Sequence, residues 1–273
     1  MNNNSVNCFP LYEGTFSIGL DKKMKPIEPD GNAEKGALKV SINPFLITTP
    51  DRNILIDTGL GPFGPHDHHK ILCDYLSEHG LSEYDITDIF LSHLHYDHIG
   101  GLAHKQNGHW ELTFPEACIY THEYEWNQTL QKYGDNDDTP LLAEFLNFIN
   151  ARADFHFVYE NENPISEMSV QVIGGHTPYS LALWFERDNH KFVMAGDVLG
   201  TSGSVNRKFA AKYDYDGQHS MKMREKITQR AWEEGYLLLF YHGTDNPIVQ
   251  LHDFDEQKGY GIKPVTYESE TVK

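Results

Sequence analysis

The 273-residue chain is long enough to bury a large hydrophobic core, and its size is ordinary for one α/β domain. Hydrophobic residues make up 39% and charged residues 23%, as in soluble globular proteins. The formal net charge of −18 would repel nucleic-acid phosphates and anionic membranes, so neither is expected as a partner.

The cysteines and the first residues of the sequence indicate the cellular compartment. Cys8, Cys73 and Cys118 are an odd number of cysteines without a C-x-x-C pair, as is typical of reduced thiols. Residues 1–5 lack the basic flank and apolar segment of a signal peptide, and no apolar run approaches about 18 residues. We therefore expect a cytoplasmic protein in which residues 1–273 form a single domain.

The first part of the chain predicts strands separated by one exposed loop. Residues 6–20 alternate weakly, as an edge strand would, and residues 21–36 are rich in Lys, Pro, Gly and Glu, which favours an exposed loop. Residues 40–49 and 54–57 predict a hairpin, and Asp57 is expected to be a buried carboxylate at its end.

Two patterns after Asp57 resemble binding motifs but are better explained otherwise. Residues 59–64 read G-x-G-x-x-G after a strand, as in dinucleotide-binding folds, but Pro62 removes a backbone N–H that a pyrophosphate would need. Residues 66–69 include three histidines, but nothing nearby completes a metal shell. A solvated helix start is the preferred interpretation of these histidines.

The strongest chemical signal follows a predicted buried strand at residues 86–91. Four residues of types that bind Zn²⁺ or similar ions fall within six positions: His93, His95, Asp97 and His98. His93 and His95 should project to one side because side chains alternate along an extended backbone. Asp97 and His98 lie past a bend, which a pair of glycines at residues 100–101 allows, and can face a second point a few ångströms away.

The remaining elements are helices and short strands. Helices are predicted at residues 69–79, 121–133, 141–153 and 217–234, and the aromatic stripe of Trp126, Tyr133, Phe145 and Phe148 is expected to pack in the core. Three strands at residues 170–173, 181–186 and 191–195 have the spacing of a meander in a second sheet. The segment from residue 249 onward is expected to form a loop and an edge strand.

The segment from His93 to His98 resembles the His-x-His-x-Asp-His signature of the metallo-β-lactamase superfamily. The other motifs of that superfamily are present in the right order: Asp57-Thr58-Gly59 after an early strand, Gly175-His176-Thr177-Pro178, a strand ending in Gly196-Asp197, and a strand ending at His242. The resemblance covers roughly residues 40–245. It implies an α/β fold, a four-layer αβ/βα sandwich of the metallo-β-lactamase type.

The resemblance also implies two divalent metal ions, with Zn²⁺ as the first expectation and Mn²⁺ or Fe²⁺ as alternatives. His93, His95 and His176 would hold one ion, Asp97, His98 and His242 the other, and Asp197 would bridge them. A hydroxide shared by the ions would attack the substrate, and Asp97 would orient it and carry a proton to the leaving group. Asp57 is expected to hydrogen-bond the loops beneath the ions rather than to bind one.

Three positions narrow the class of reaction. His95 stands where flavodiiron relatives carry Glu, Asp197 replaces the cysteine that common β-lactamases use near the bridging position, and Gly200 stands where acyl-homoserine lactonases carry Tyr. The sequence therefore predicts a hydrolase of a small ester-like molecule, with lactones and phosphotriesters leading. Tyr179 is a candidate for the missing phenol, with packing as its preferred role.

Alternatives to a dinuclear esterase remain open. A mononuclear-iron persulfide dioxygenase shares part of the ligand set, and a thioesterase of the glyoxalase II type shares the fold. A metal-bound scaffold without activity is the non-enzymatic alternative. The oligomeric state is left open between a monomer and a homodimer.

Overall fold

The computed structural model describes residues 5–21 and 23–267. The elements up to residue 158 are β1 (Asn7–Pro10), β2 (Gly14–Ile18), β3 (Met24–Ile27), β4 (Leu38–Ile42), β5 (Phe45–Thr48), β6 (Asn53–Ile56), α1 (His68–Glu78), β7 (Asp88–Phe90), α2 (Tyr96–Ile99), β8 (Ala103–Gln106), β9 (His109–Leu112), β10 (Cys118–His122), α3 (Glu123–Tyr133), α4 (Pro140–Arg152) and β11 (Asp154–Val158). The later elements are β12 (Glu162–Ile165), β13 (Met168–Val172), β14 (Leu181–Arg187), β15 (His190–Met194), α5 (Gly217–Glu234), β16 (Leu237–Leu239), β17 (Ile248–Asp255) and β18 (Gly259–Pro264).

Two large sheets organise these elements. One has the strand order β1-β5-β6-β7-β10-β11, and the other runs from β12 to β18 in chain order. Strands β6, β7, β10 and β11 are parallel to one another. Because parallel strands end at the same edge of a sheet, the segments that follow β6 and β7 lie side by side at that edge.

Alternating side chains divide the interior into three hydrophobic cores. In β6, Ile54 and Ile56 pack between the two sheets, whereas Leu55 faces the opposite way, toward α1, α3 and α4. In β14, Phe185 also packs between the sheets, and Trp184 faces α5. The order of layers is therefore helices, sheet, sheet, helix, which confirms the predicted four-layer sandwich.

Several elements match their predictions closely. Helix α5 has the predicted bounds, the strands β13, β14 and β15 form the predicted antiparallel meander, and β5 pairs with β6 as a hairpin. The aromatic stripe of α3 and α4 packs in the core, as expected: Trp126 and Phe145 are buried, and Tyr133 and Phe148 pack against that core. No helix in the described ranges combines the length and apolar character needed to cross a membrane.

The N-terminal part departs from its prediction. Residues 6–20 form two strands rather than one, and residues 40–49 are divided between β4 and β5, which belong to different sheets. The expected loop at residues 21–36 contains β3, which pairs with β2 at the edge of a three-stranded sheet. Pro26 argues against a strand in the sequence, because proline lacks the N–H that a central strand needs. At the edge of a sheet that lack is tolerated.

The histidine cluster at residues 66–69 is not wholly solvated, contrary to its prediction. The His68 side chain is buried, and its Nδ1 lies 3.1 Å from Oε2 of the equally buried Glu13. Glu13 Oε2 also accepts a hydrogen bond from the Leu60 backbone N–H at 2.9 Å. The pair therefore supports the loop that follows β6, which explains the position of His68 without a metal ion.

The glycines of residues 59–64 are closely packed, and Gly61 packs directly against backbone. Gly61 has a φ of +49°, and a Cβ placed on it would lie 2.0 Å from the Gly100 carbonyl oxygen. A Cβ on Gly100 would in turn lie 2.1 Å from the Leu60 carbonyl oxygen. The chain after β6 thus packs backbone against backbone on the helical turn that follows residues 93–98.

We expect Gly61→Ala to destabilise the protein more than Gly36→Ala does. Gly36 also has a positive φ, +82°, but a Cβ there would meet nothing within 4 Å. Left-handed strain of about 1–2 kcal/mol is common to both changes, whereas the steric clash at residue 61 adds about 1–3 kcal/mol or more. Urea unfolding of the metal-free proteins measures both values, and equal losses would contradict the proposed backbone contact.

Candidate metal centre

The candidate site lies where strand ends of both sheets meet. His93 follows β7, His98 lies in the short helix α2, and Asp57 follows β6 in a left-handed conformation with φ of 56°. From the second sheet, Asp197 follows β15 and His242 follows β16. The chain therefore brings all seven residues that were predicted as metal ligands into two adjoining groups.

The first group consists of His93, His95, His176 and Asp197, whose ligand atoms lie within 4.8 Å of one another. His95 Nδ1 is 3.0 Å from His93 Nε2 and 3.1 Å from His176 Nε2. A single proton on His95 Nδ1 can serve only one of these two nitrogens, whereas a cation among them would satisfy all three.

The second group consists of Asp97, His98 and His242. Asp97 Oδ2 lies 3.8 Å from His98 Nε2 and 3.7 Å from His242 Nε2. Asp197 is shared with the first group, because its Oδ1 lies 3.4 Å from His98 Nε2 and 3.0 Å from His242 Nε2, while its Oδ2 lies 3.3 Å from His176 Nε2. Each oxygen of Asp197 therefore faces a different group.

Four of the five histidines have an outer hydrogen-bond partner at Nδ1. The partner atoms are Ser92 Oγ at 3.1 Å for His93, Asp57 Oδ2 at 2.7 Å for His98, Asp214 Oδ1 at 2.9 Å for His176, and the Ser41 carbonyl oxygen at 3.0 Å for His242. Carboxylate and carbonyl oxygens accept hydrogen bonds, so Nδ1 carries the proton and Nε2 keeps its lone pair for an ion.

Asp57 connects these outer partners. Its Oδ1 accepts a hydrogen bond from the Ser92 backbone N–H at 2.7 Å, and its Oδ2 accepts from Ser92 Oγ and from His98 Nδ1, each at 2.7 Å. The side chain is fully buried and belongs to neither group of ligand atoms. This geometry agrees with the predicted position beneath the site.

The charge balance of the site favours cations. Burial, and then the neighbouring imidazoles with His98 first, lower the pKa of His93 well below its usual range. Burial would raise the pKa of Asp197, but the charges of His242 and His176 hold that pKa well below its usual range. Burial also disfavours a proton on His98, yet the Asp57 and Asp97 carboxylates raise the pKa of His98 well above its ordinary value. A metal ion would take the place of that proton.

The residues fit metal ions by two further observations. His98 Nε2 and Asp197 Oδ1 are buried, and neither makes a hydrogen bond of good geometry within the described chain. The donors are imidazole nitrogens and carboxylate oxygens, the set that suits Zn²⁺ and related ions.

His95 is the exposed member of the first group, so the site opens to solvent on its side. Crowding by other groups still lowers the pKa of His95 to about 4, with desolvation as the largest cause and His176 next.

Sequence analysis missed four residues around the site. Asp214 orients His176, and Ser92 orients His93. Tyr241 stacks on His98 with ring centroids 4.0 Å apart and donates its hydroxyl to the Asp97 carbonyl oxygen at 2.5 Å. The ring of Tyr213, half exposed, lies 6.0 Å from the ring of His176. Ser92 is adjacent to the histidine motif, but Asp214 and Tyr213 lie in a polar segment without a periodic pattern.

Tyr179 occupies a packing position. Its ring stacks on that of His122 at a centroid distance of 4.4 Å, and its backbone N–H donates to Glu125 Oε2 at 3.0 Å. Gly200 lies close to the ligands, since a Cβ there would be 3.4 Å from the His242 ring. Tyr213, rather than Tyr179, therefore places an exposed ring beside a candidate ligand.

Comparison with known families decides the classification. The family model of the metallo-beta-lactamase superfamily matches residues 38–231, more than half of the chain. The chain belongs to the metallo-beta-lactamase superfamily. The comparison with curated proteins gives no match.

Solved structures with the same fold include hydrolases of this superfamily. AidC, a dizinc quorum-quenching lactonase in complex with a product, is 23% identical with a TM-score of 0.75, and the match covers 97% of this chain and 96% of AidC. The hydrolase AbOPH is 22% identical with a TM-score of 0.75, covering 96% and 95% of the two chains. A probable metal-dependent hydrolase from Staphylococcus aureus is 19% identical with a TM-score of 0.73, covering 98% of each chain.

The family model confirms the superfamily, and the solved structures confirm its fold. At such identities, the similarity to solved structures extends to the fold alone. The ligand roles of the seven residues, and the substrate, therefore depend on the geometry of this chain.

We expect Asp57→Asn to lower stability while both groups still bind metal at saturating concentrations. Asn offers one acceptor oxygen where the carboxylate accepts three hydrogen bonds, and each bond to a charged group contributes about 1.5–3 kcal/mol. Asp188→Asn is a matched control, because Asp188 has a similar φ of 54° but lies on an exposed turn. Chemical unfolding of the metal-free proteins and metal analysis of the loaded proteins give the two readouts. An intact Asp57→Asn protein that lost one metal position would refute the supporting role of Asp57.

Proposed function

We propose that this protein is a dinuclear metal-dependent hydrolase of small ester-like substrates. The observation that supports this proposal is the orientation of Asp197, whose two carboxylate oxygens face different groups of ligand residues. His93, His95 and His176 would hold one ion, and Asp97, His98 and His242 the other, with Asp197 between them. Zn²⁺ is the favoured ion, with Mn²⁺ and Fe²⁺ as alternatives, because nitrogen and carboxylate donors suit all three.

Two bound ions would supply an activated water and a Lewis acid for the ester or phosphoryl oxygen. The chain itself holds the imidazoles in the required orientation, through the oxygen partners at Nδ1 of His93, His98, His176 and His242. Asp97 lies at the wall of the second group, with Oδ2 toward His98 and His242. We assign Asp97 the transfer of a proton to the leaving group, because it is the carboxylate of the second group.

A single-iron dioxygenase is a weaker interpretation. Such an enzyme needs one complete group of ligands, whereas here the second group of Asp97, His98 and His242 is also buried and convergent. Buried polar groups are costly unless they are paired or bind metal, so a second set without a role would be a burden to the fold. Both sets are explained together by two ions.

The open side of the site supports a small substrate. His95 is exposed, and the half-exposed Tyr213 lies beside His176, so a small neutral or anionic molecule can approach there. The structurally similar AidC is a lactonase, and the name AbOPH denotes a hydrolase of the same superfamily. We propose lactones and phosphotriesters as the leading substrates. The three free cysteines, as in proteins of reducing compartments, support a cytoplasmic location.

The metal content of the purified protein tests the dinuclear assignment. We expect close to two metal ions per chain, loss of activity with a chelator, and recovery with Zn²⁺, Mn²⁺ or Co²⁺. Asp197→Ala should lose metal, because no other described carboxylate faces both groups. The exposed Asp245→Ala should keep both ions and serves as the control. Elemental analysis after gel filtration measures the ratio, and a reproducible single ion at full activity would contradict the proposal.

A substrate panel tests the role of the phenol. Opening a lactone produces an alkoxide that must be protonated. Hydrolysis of an aryl phosphotriester releases a stabilised phenolate, which needs no such proton donor. We therefore expect aryl esters and phosphotriesters to be hydrolysed at least as fast as homoserine lactones. Tyr213→Phe should reduce lactone turnover by a factor of about 100 and leave phosphotriester turnover unchanged, and Tyr179→Phe should affect neither. Fast lactone opening that survives both changes would remove the basis for this ranking.

A further inference from the structure

Helix α5 buries a row of polar side chains away from the metal ligands. Ser220, Arg224 and Thr228 are spaced by four residues, so they lie on one face of the helix, and each is only 1% exposed. We call these three residues the α5 polar row. The helix passes behind the metal centre, since a Cβ on Gly175 would lie 2.7 Å from the Ser220 Cα.

The α5 polar row lacks hydrogen-bond partners within the described residues. Nε, Nη1 and Nη2 of Arg224 are all buried and unpaired, as are the hydroxyls of Ser220 and Thr228. The Nε atom of Arg207 is also buried without a partner. A buried charge without a partner is strongly unfavourable, and a guanidinium offers five N–H donors, so this arrangement requires a compensating acceptor.

Neighbouring charges do not provide that acceptor. Burial is the largest influence on Arg224 and the Arg207 cation the next; both lower the pKa of Arg224. Asp214 is the carboxylate with the largest opposing effect, but it makes no hydrogen bond to Arg224, and its Oδ1 is bonded to His176 Nδ1 at 2.9 Å. Glu225, the other carboxylate that acts on Arg224, has a smaller effect than Asp214. The Arg224 guanidinium therefore lacks a bonded anion among the described side chains.

Another arginine of the same helix shows what a satisfied guanidinium looks like here. Arg230 donates from Nε to Glu234 Oε1 at 3.0 Å, and its guanidinium lies 3.8 Å from the centre of the Trp184 ring. The lack of partners at Arg224 is therefore specific to that position and not a property of helix α5.

We propose that the α5 polar row, together with Arg207, is a binding site for a small oxyanion of the phosphate class. The planar fork of Arg224 would bind two oxygens of such an anion, and the hydroxyl of Ser220 or of Thr228, one turn away on either side, would supply a neutral donor. The positive charge of Arg207, which already acts on Arg224, would add to the attraction. An anion there would also fix residues 205–216, the segment that carries Asp214 and Tyr213 to the metal centre. The ligand is either free phosphate or the phosphoryl group of a larger molecule.

This site does not depend on the proposed hydrolase reaction. Its ligands are different side chains, and its occupancy can be measured without any turnover. Failure of the anion site would leave the metal assignment unchanged, and a single-metal result would leave the anion site unchanged.

Calorimetric titration of the metal-loaded protein with inorganic phosphate tests the proposal. Phosphate can also bind at the metal ions, so the informative quantity is the binding that depends on Arg224. We expect the native protein to show this component and a rise in Tm on the order of 5 °C or more at about 100 times the Kd. Arg224→Met should lose the component, and Arg224→Lys, which keeps the charge but not the fork, should weaken it about tenfold. Phenyl phosphate in a second titration distinguishes a phosphoryl group on a larger molecule from free phosphate.

Arg230→Met is the matched control on the same helix and should bind phosphate as the native protein does. An apolar replacement of an unpaired buried charge is tolerated, so Arg224→Met should fold at least as stably as the native protein when phosphate is absent. If native, Arg224→Met and Arg230→Met proteins gave the same phosphate isotherm and the same Tm rise, the proposed anion site would be excluded. If Arg224→Met does not fold, Arg224→Lys is tested instead. A phosphate Kd of Arg224→Lys equal to that of the native protein would likewise exclude the site.

Discussion

The carboxylate of Asp57 ties together the ends of two parallel strands, and the candidate metal centre is built on that connection. Its two oxygens accept hydrogen bonds from the backbone and hydroxyl of Ser92 and from the ring of His98, all at 2.7 Å. Ser92 in turn contacts His93, so one buried anion orients a candidate ligand in each of the two groups. The left-handed backbone at Asp57 carries an energetic cost that this network offsets. Interactions with a buried charge are strong enough for this because little water competes for them.

The outer partners of the histidines follow the same pattern in the two metal groups. In each group, one imidazole is hydrogen-bonded to a carboxylate: His176 to Asp214 in the first, and His98 to Asp57 in the second. Another imidazole in each group is bonded to a neutral oxygen: His93 to the Ser92 hydroxyl, and His242 to the Ser41 carbonyl. A carboxylate partner makes an imidazole more basic and a stronger ligand than a neutral partner does. Each ion would therefore have one stronger and one weaker histidine of this kind. Because the polar partners come from separate segments, both groups depend on the packing of the two sheets against each other.

Sequence reasoning succeeded where a short local pattern carries the information. The apolar run of β6, the amphipathic pattern of α5 and the spacing of His93 to His98 each determine local structure. It failed where distant residues meet. The sequence around His68 gives no sign of its buried partner Glu13. Asp214 contacts His176 although the two lie 38 positions apart in the sequence. Strand β3 was missed because an edge strand can hold Pro26, which in a central strand would remove a hydrogen bond.

The contact between the two glycine segments limits how this site can change. A Cβ on Gly61 would lie 2.0 Å from the Gly100 carbonyl oxygen, and a Cβ on Gly101 would lie 1.9 Å from the Thr58 carbonyl oxygen. Side chains cannot be added at these positions to reshape the floor of the site. A change in substrate choice would be easier at the exposed rim, where residues 205–216 present Phe209, Tyr213 and Tyr215 to solvent and the Tyr213 ring lies 6.0 Å from that of His176. The rigid floor and the variable rim would then evolve under separate constraints, so the chemistry can stay fixed while the choice of substrate shifts.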